Sequence, residues 1–294
     1  MINSSSSKFP LQAFLEPFAR RLEKAGIERA WREVRLLAAW ASDCSYEDIL
    51  LEQASFSPQA KERLETAVLQ REQRKPLTKI TQQAWFWNFP FKTTEDTLDP
   101  RPESELFISE ILRLIPHRLI PLSTLDLGTG TGCLLLSCLA EYPNAHGIGV
   151  DISPAAIAVA RANAQALERV YPGLEPRATF LQSNWTEGVK GTFDIVMCNP
   201  PYVEDSAQLE PEVCFDPPQA LFAGSDGLSA FRQLFPSLPH VVDPKTWILL
   251  EIGRGQLDSV RDIAHASGFG IDHVVEDLQG IPRILVLRLQ KLPL

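Results

Sequence analysis

The sequence predicts an α/β fold: a mostly parallel, doubly wound sheet behind a small helical domain. Three observations carry this. From residue 122 onward, short apolar runs alternate with helical periods at the spacing of βα units. Gly128-Thr129-Gly130-Thr131-Gly132 lies directly between one such strand and the next helix. From about residue 11 to 74 the pattern is helical throughout.

The helical stretch runs from about residue 11 to 74. Leu11, Phe14, Leu15 and Phe18 keep 3.6 spacing, as do Val34, Leu37, Ala38 and Ala41. Ser45 with Asp48 three residues on resembles a capping box. Ser57-Pro58 is another start signal, with proline at the first helical position. The mixed charges of 61–74 read as a solvated face. A bundle of four or five short helices fits, either a substrate-docking module or a structural cap. Trp85, Phe86, Trp87, Phe89 and Phe91 around Asn88 predict a β-hairpin. Its tryptophan pair is expected to pack between domains, with a substrate wall as the alternative. Pro100-Arg101-Pro102-Glu103 is stiff and extended, a rigid linker or a lid, and leads into a helix over 104–114. The expected organisation is a helical docking domain at 1–80, a hairpin linker at 81–98 and the α/β domain at 99–294.

Within that domain, strands are expected at 125–127, 147–150, 178–182, 193–198 and 247–252. Helices are expected at 133–140 and at 154–167, the latter capped by Ser153 with Pro154 first. Val274-Val275 and the run 284–287 flank a turn and predict a closing antiparallel pair.

Composition bounds the function. The 294 residues are 45% hydrophobic and 22% charged, as in an ordinary globular protein. A net charge of −9 argues against a broad grip on nucleic acid. No apolar run approaches a membrane span, and the Ser-rich start, which reads as a frayed end, has no apolar core of a secretory signal. Five cysteines without CxxC spacing read as buried thiols of a reducing cytoplasm. Five scattered histidines suggest no metal site.

Two stretches carry the chemistry. The glycines of 128–132 let backbone approach a ligand, and the helix start behind them favours polar or anionic groups. The spacing is G-x-G-x-G rather than the dinucleotide pattern. Asp151, ending the next strand, can accept from both hydroxyls of a ribose or can simply open the turn before Ser153. The second stretch, Asn199-Pro200-Pro201-Tyr202, stops a fully apolar strand, since prolines donate nothing to a sheet. It leaves an Asn amide, proline carbonyls and a Tyr ring at the strand's carboxyl end, where open α/β sheets place ligands.

Leu125-Asp126-Leu127 with the glycine run resembles motif I of the Rossmann-like S-adenosyl-L-methionine-dependent methyltransferases. That likeness implies cofactor contacts from Asp126, Gly128, Thr129, Gly130, Thr131, Gly132 and Asp151. It places Asp126 near the amino-acid part and Asp151 on the ribose. It also puts Asn184 and Trp185 at the adenine, with Asn184 where Asp is usual, and S-adenosyl-L-homocysteine as product. Asn-Pro-Pro-Tyr resembles the signature of methyltransferases acting on flat, conjugated nitrogen. By that likeness Asn199, Pro200 and Tyr202 are catalytic, and Asn199, Pro200, Pro201 and Tyr202 bind substrate; Asn199 also borders the cofactor. The nitrogen's two N–H groups would donate to the Asn199 oxygen and the Pro200 carbonyl, with Tyr202 packed on the flat group.

Nearly the whole chain is similar to the protein-glutamine N5-methyltransferases of peptide chain release factors. The likeness includes Asp226-Gly227-Leu228 and Leu250-Glu251-Ile252-Gly253. It departs at Asp99, Ser104 and Asp216, and in lacking a glycine before the hairpin aromatics. It implies methylation of the glutamine in the Gly-Gly-Gln loop of release factors by a cytoplasmic monomer, with no direct nucleic-acid or membrane partner. The rivals are a ribosomal-protein glutamine methyltransferase and a DNA adenine N6-methyltransferase. A cofactor-binding protein without catalysis is the remaining alternative.

Overall fold

A computed structural model describes residues 11–290. The chain forms two compact units: one is Met1–Gln82 with Glu210–Phe215, the other Gln83–Leu209 with Asp216–Leu294.

The first unit is helical, with α1 (Leu11–Lys24), α2 (Ala30–Ala41), α3 (Tyr46–Leu50), α4 (Pro58–Glu72) and α5 (Leu77–Thr81). The periodic residues become its core: Leu11, Leu15, Ala19 and Leu22 of α1 meet Val34, Leu37 and Ala38 of α2. Ser45 Oγ accepts from the Asp48 N–H at 3.0 Å, and the Asp48 carboxylate takes the Ser45 N–H at 3.0 Å, completing the box. Ser57 caps α4 by accepting from the Ala60 N–H. The reading of 61–74 as a solvated face needs correction, because Leu64, Ala67, Val68 and Arg71 are buried. Arg71 pairs with Glu33 at 2.5 Å and with Glu212 at 3.1 Å, and Arg74 reaches Glu212 at 2.8 Å. These arginines hold the 210–215 segment in the helical unit.

The second unit opens with the hairpin β1 (Gln83–Phe86) and β2 (Phe89–Lys92), paired antiparallel. Phe86, Phe89 and Phe91 enter this unit's own core. The tryptophan pair does not do what was expected of it. Trp87 lies against that same core and donates to Glu141 at 2.7 Å, while Trp85 is 70% exposed. The Pro-Arg-Pro stretch is extended only to Arg101; Pro102–Ser104 forms a 3₁₀ turn that feeds α6 (Glu105–Leu114).

The sheet follows: β3 (Ser123–Leu127), α7 (Cys133–Glu141), β4 (His146–Asp151), α8 (Pro154–Glu168), β5 (Ala178–Gln182), β6 (Ile195–Cys198), α9 (Ser229–Ser237), β7 (Trp247–Glu251), α10 (Leu257–Ala266), β8 (Phe269–Glu276) and β9 (Pro282–Leu289). Strand order is β5-β4-β3-β6-β7-β9-β8. β3 to β7 are parallel; β9 pairs antiparallel with both β7 and β8, the expected closing hairpin. Successive residues of β6 serve opposite faces. Ile195 and Met197 join one core, Val196 and Cys198 the other. All four are essentially inaccessible, which explains their unbroken apolar run. The chain order reverses between β3 and β6, so a crevice opens beyond their carboxyl ends.

Candidate active site

The 128–132 turn leaves β3 and enters α7. Gly128, Gly130 and Gly132 have φ of +74°, +53° and +79°, where a side chain would be strained. The N–H groups of Gly128 and Thr129 both donate to the Val150 carbonyl, at 2.9 and 2.8 Å. Asp151 sits one residue on from Val150. Its Oδ2 accepts from the Gly130 N–H at 3.0 Å and its Oδ1 from the Ser153 N–H at 2.9 Å. Burial pushes the Asp151 carboxyl above the ordinary range, while the N–H groups of Ser153, Gly130 and Ile152 pull it back. From the other side, buried Asn163 on α8 donates to the Thr131 carbonyl at 2.8 Å and accepts the Lys92 N–H at 2.7 Å. The turn is therefore fixed by main chain, by the Asp151 carboxylate and by one buried amide.

Asn199 follows β6 at the adjoining strand end. Its Nδ2 donates to Ser104 Oγ at 3.2 Å, and Ser104 Oγ donates to Glu251 Oε2 at 2.6 Å. Tyr202 OH donates to Glu251 Oε1 at 3.2 Å. The Tyr202 hydroxyl is held protonated by burial first and then by the Glu251 charge. Gln256 braces the loop: its Nε2 donates to the carbonyls of Tyr202 and Gly227, and its Oε1 accepts from the Gly253 N–H.

Both structures face one cavity of roughly 330 Å³, within the usual range for small-molecule sites. Gly128, Thr129, Gly130, Thr131, Asp151, Asn184, Trp185, Asn199 and Pro201 line it. Asp126, Gly132, Pro200 and Tyr202 do not. Asp126 has no exposed surface and lies beneath the turn, accepting from Thr129 Oγ1 at 2.6 Å. Burial pushes its carboxyl up to about 7, aided by the Asp151 charge and opposed by the Thr129 hydroxyl and the Leu135 N–H. Asn184 is exposed, and its Nδ2 donates to Glu187 at 3.2 Å. Trp185 takes a left-handed φ of +50° and packs on one face of the sheet core.

Sequence reasoning did not assign Ser104, Glu251, Gln256 or the Arg101–Asp216 pair to the site. Arg101 lines the cavity and donates to buried Asp216 at 2.5 Å; Asp216 also accepts the Asp99 N–H at 3.2 Å. One signal was present: Glu251 is a charge closing the otherwise apolar strand Trp247–Glu251.

Comparison with known proteins decides the family. A release factor glutamine methyltransferase of Rhodospirillum rubrum is 38% identical over 289 residues, covering 97% of this chain and 87% of that protein. The chain belongs to the release factor glutamine methyltransferase family. A second member, from Cereibacter sphaeroides, is 40% identical over 92% of this chain and 95% of its own length. A third, from Caulobacter vibrioides, is 35% identical over 90% of this chain and 92% of its own. Two family patterns also match: the PrmC N-terminal domain at residues 14–81 and the methyltransferase small domain at 98–216. In this methyltransferase the second pattern spans the glycine turn, Asp151, Asn199 and Tyr202.

The arrangement suits group transfer between two ligands in one chamber. One end offers open backbone and a carboxylate. The other offers a fixed amide.

Proposed function

We propose that this methyltransferase transfers a methyl group from S-adenosyl-L-methionine to N5 of the glutamine in the Gly-Gly-Gln loop of peptide chain release factors. The observation that carries this is the shared cavity, onto which both the glycine turn and Asn199 open. The relatives' common name supports the substrate.

The residues fit the cofactor. Each Asp151 oxygen spends one lone pair on a backbone N–H and keeps capacity for a ribose hydroxyl. The open backbone at Gly128 and Gly130 would border the amino-acid part, and Trp185 and Asn184 the adenine. When bound, the cofactor supplies an electrophilic methyl carbon. Asn199 does the work on the substrate side. The glutamine nitrogen is a poor nucleophile because its lone pair is delocalised into the carbonyl. Acceptance of its N–H by the Asn199 oxygen, which lines the cavity where Pro200 does not, aims the nitrogen and stabilises the positive charge that grows on it. The nitrogen becomes acidic only after it has gained the methyl, so its proton leaves to water without a strong base. Tyr202, kept protonated, shapes the pocket wall from behind rather than taking that proton.

The test is tritiated-methyl transfer by the purified protein to a release factor, with ribosomal protein and DNA as competing substrates. Label is expected in the release factor alone and is lost when its Gly-Gly-Gln glutamine is replaced by Ala. Label in ribosomal protein or DNA instead would overturn the substrate assignment.

A further inference from the structure

Asn199 must present an oxygen, not a nitrogen, to a substrate NH₂, and an amide side chain is nearly symmetric in shape. Something has to choose its orientation. The strand register brings a candidate alongside. Cys198 pairs with Leu250 in the parallel β6–β7 ladder, so Asn199 and Glu251 are the next residues on neighbouring strands. Glu251 is 3% exposed, and each of its oxygens receives a hydroxyl: Ser104 at 2.6 Å and Tyr202 at 3.2 Å.

The direction of each bond then follows from donor counting. A carboxylate has no proton to give, so the Ser104 hydroxyl must donate to Glu251. That leaves Ser104 Oγ with lone pairs only. Its 3.2 Å contact with Asn199 can then be made only by the amide NH₂. The amide oxygen is turned the other way.

We propose that Glu251 and Ser104 are positioning residues that set the polarity of the Asn199 amide, so that its oxygen meets the substrate nitrogen. This rests on the methyl-transfer reading above. With the amide reversed, two NH₂ groups would confront each other, and the charge growing on the substrate nitrogen would face a donor. Protonation of Glu251 has the same effect, since a carboxylic acid can donate to Ser104 and release that hydroxyl toward Asn199. Burial raises the Glu251 carboxyl above its ordinary range. The Ser104 and Tyr202 hydroxyls and the Arg283 charge hold it down, while Glu103 pushes it up.

The experiment measures kcat and KM for release factor, cofactor affinity by calorimetry, and thermal stability for Glu251→Gln, Ser104→Ala and Ser104→Thr. Gln offers an NH₂ where Glu offered an acceptor, so Glu251→Gln is expected to lower kcat about 100-fold, the scale of one misdirected transition-state contact. Cofactor affinity and KM should stay within about 3-fold, because this contact matters mainly as charge develops. Ser104→Ala frees the amide to adopt both orientations, for a loss of about 10-fold. Ser104→Thr keeps the hydroxyl and recovers most of that loss. The wild-type kcat falls as pH drops through the raised carboxyl range; in Ser104→Ala that limb flattens, because Glu251 no longer commands the amide. If Glu251→Gln does not fold, the Ser104 pair and the pH limb decide. Wild-type methylation with kcat unchanged in Ser104→Ala, or losses confined to cofactor affinity or stability, would overturn the relay and leave the methyl-transfer reading intact. Absence of wild-type methylation would sink that reading itself.

Discussion

The two ends of the cavity are held in different ways. At the glycine turn the anchors are close in sequence: the Val150 carbonyl binds the N–H groups of Gly128 and Thr129, and the carboxylate of the next residue, Asp151, binds that of Gly130. At Asn199 they are side chains drawn from distant parts of the sequence, with Ser104 and Glu251 lying 147 residues apart. Backbone anchoring tolerates change in neighbouring side chains. A hydroxyl–carboxylate–amide chain does not, because each member's role depends on the next one's protons. The glycine turn is thus held largely by neighbours in sequence, and the Asn199 amide by a relay across the fold.

This contrast can be broken or sharpened by substitution. The largest effect is expected from Asn199→Ala, which should lower kcat by about 10²–10³ while calorimetric cofactor affinity stays near wild type. Normal turnover by that variant would remove Asn199 from the reaction. Asp151→Ala should do the converse: cofactor Kd weaker by roughly 10–100-fold, with kcat at saturation largely spared. Equal affinity in the two proteins would mean that Asp151 serves only the turn.

Gly227 tests the bracing of the chemical end. Its φ is +67°, and a Cβ there would lie 2.5 Å from the Tyr202 carbonyl oxygen and 2.8 Å from Gln256 Nε2. Gly227→Ala should destabilise by about 1–3 kcal/mol and lower kcat more than cofactor affinity. A denaturation midpoint equal to wild type would show that the loop gives way without cost.

The last effect concerns stability at the anchored end and leaves turnover aside. The Asp126 carboxyl is raised from 3.8 to about 7 in the fold. Between those values the folded chain keeps a proton that the unfolded chain has lost, so this group's contribution to stability falls as pH rises through the window. Asp126→Asn removes that dependence. Its stability relative to wild type should improve from about pH 5 to about pH 8 by on the order of 2–3 kcal/mol, read from urea midpoints. A difference that is constant with pH would mean that Asp126 does not titrate there.

The anchored end was legible in the sequence because its parts are contiguous: a strand, a glycine turn, a helix, then an acid after the next strand. Each carries its own local signal. Asn199 was legible for the same reason, as a polar residue stopping an apolar run before two prolines. Ser104 and Glu251 were not, since no local rule joins a serine before α6 to a glutamate ending β7; only the folded register does. Two helices also escaped notice. α9 starts from Leu228 with no capping side chain and carries Pro236 in its last turn, and α10 starts from Gln256 without a side-chain cap. In α4 the surrounding charge hid a narrow apolar face, and buried Arg71 finds its second carboxylate in Glu212, far along the chain.

That distant partner limits how such a protein could be reshuffled. Glu210–Phe215 belongs to the helical unit, so the polypeptide visits that unit twice. A recombination event exchanging only the first 82 residues would strand Glu212 without the two arginines it was matched to. The next residue after the second visit is Asp216, the carboxylate that clasps Arg101 at the cavity rim. An exchange of the helical unit that keeps its own ion pairs would therefore need the six-residue inlay 210–215 as well.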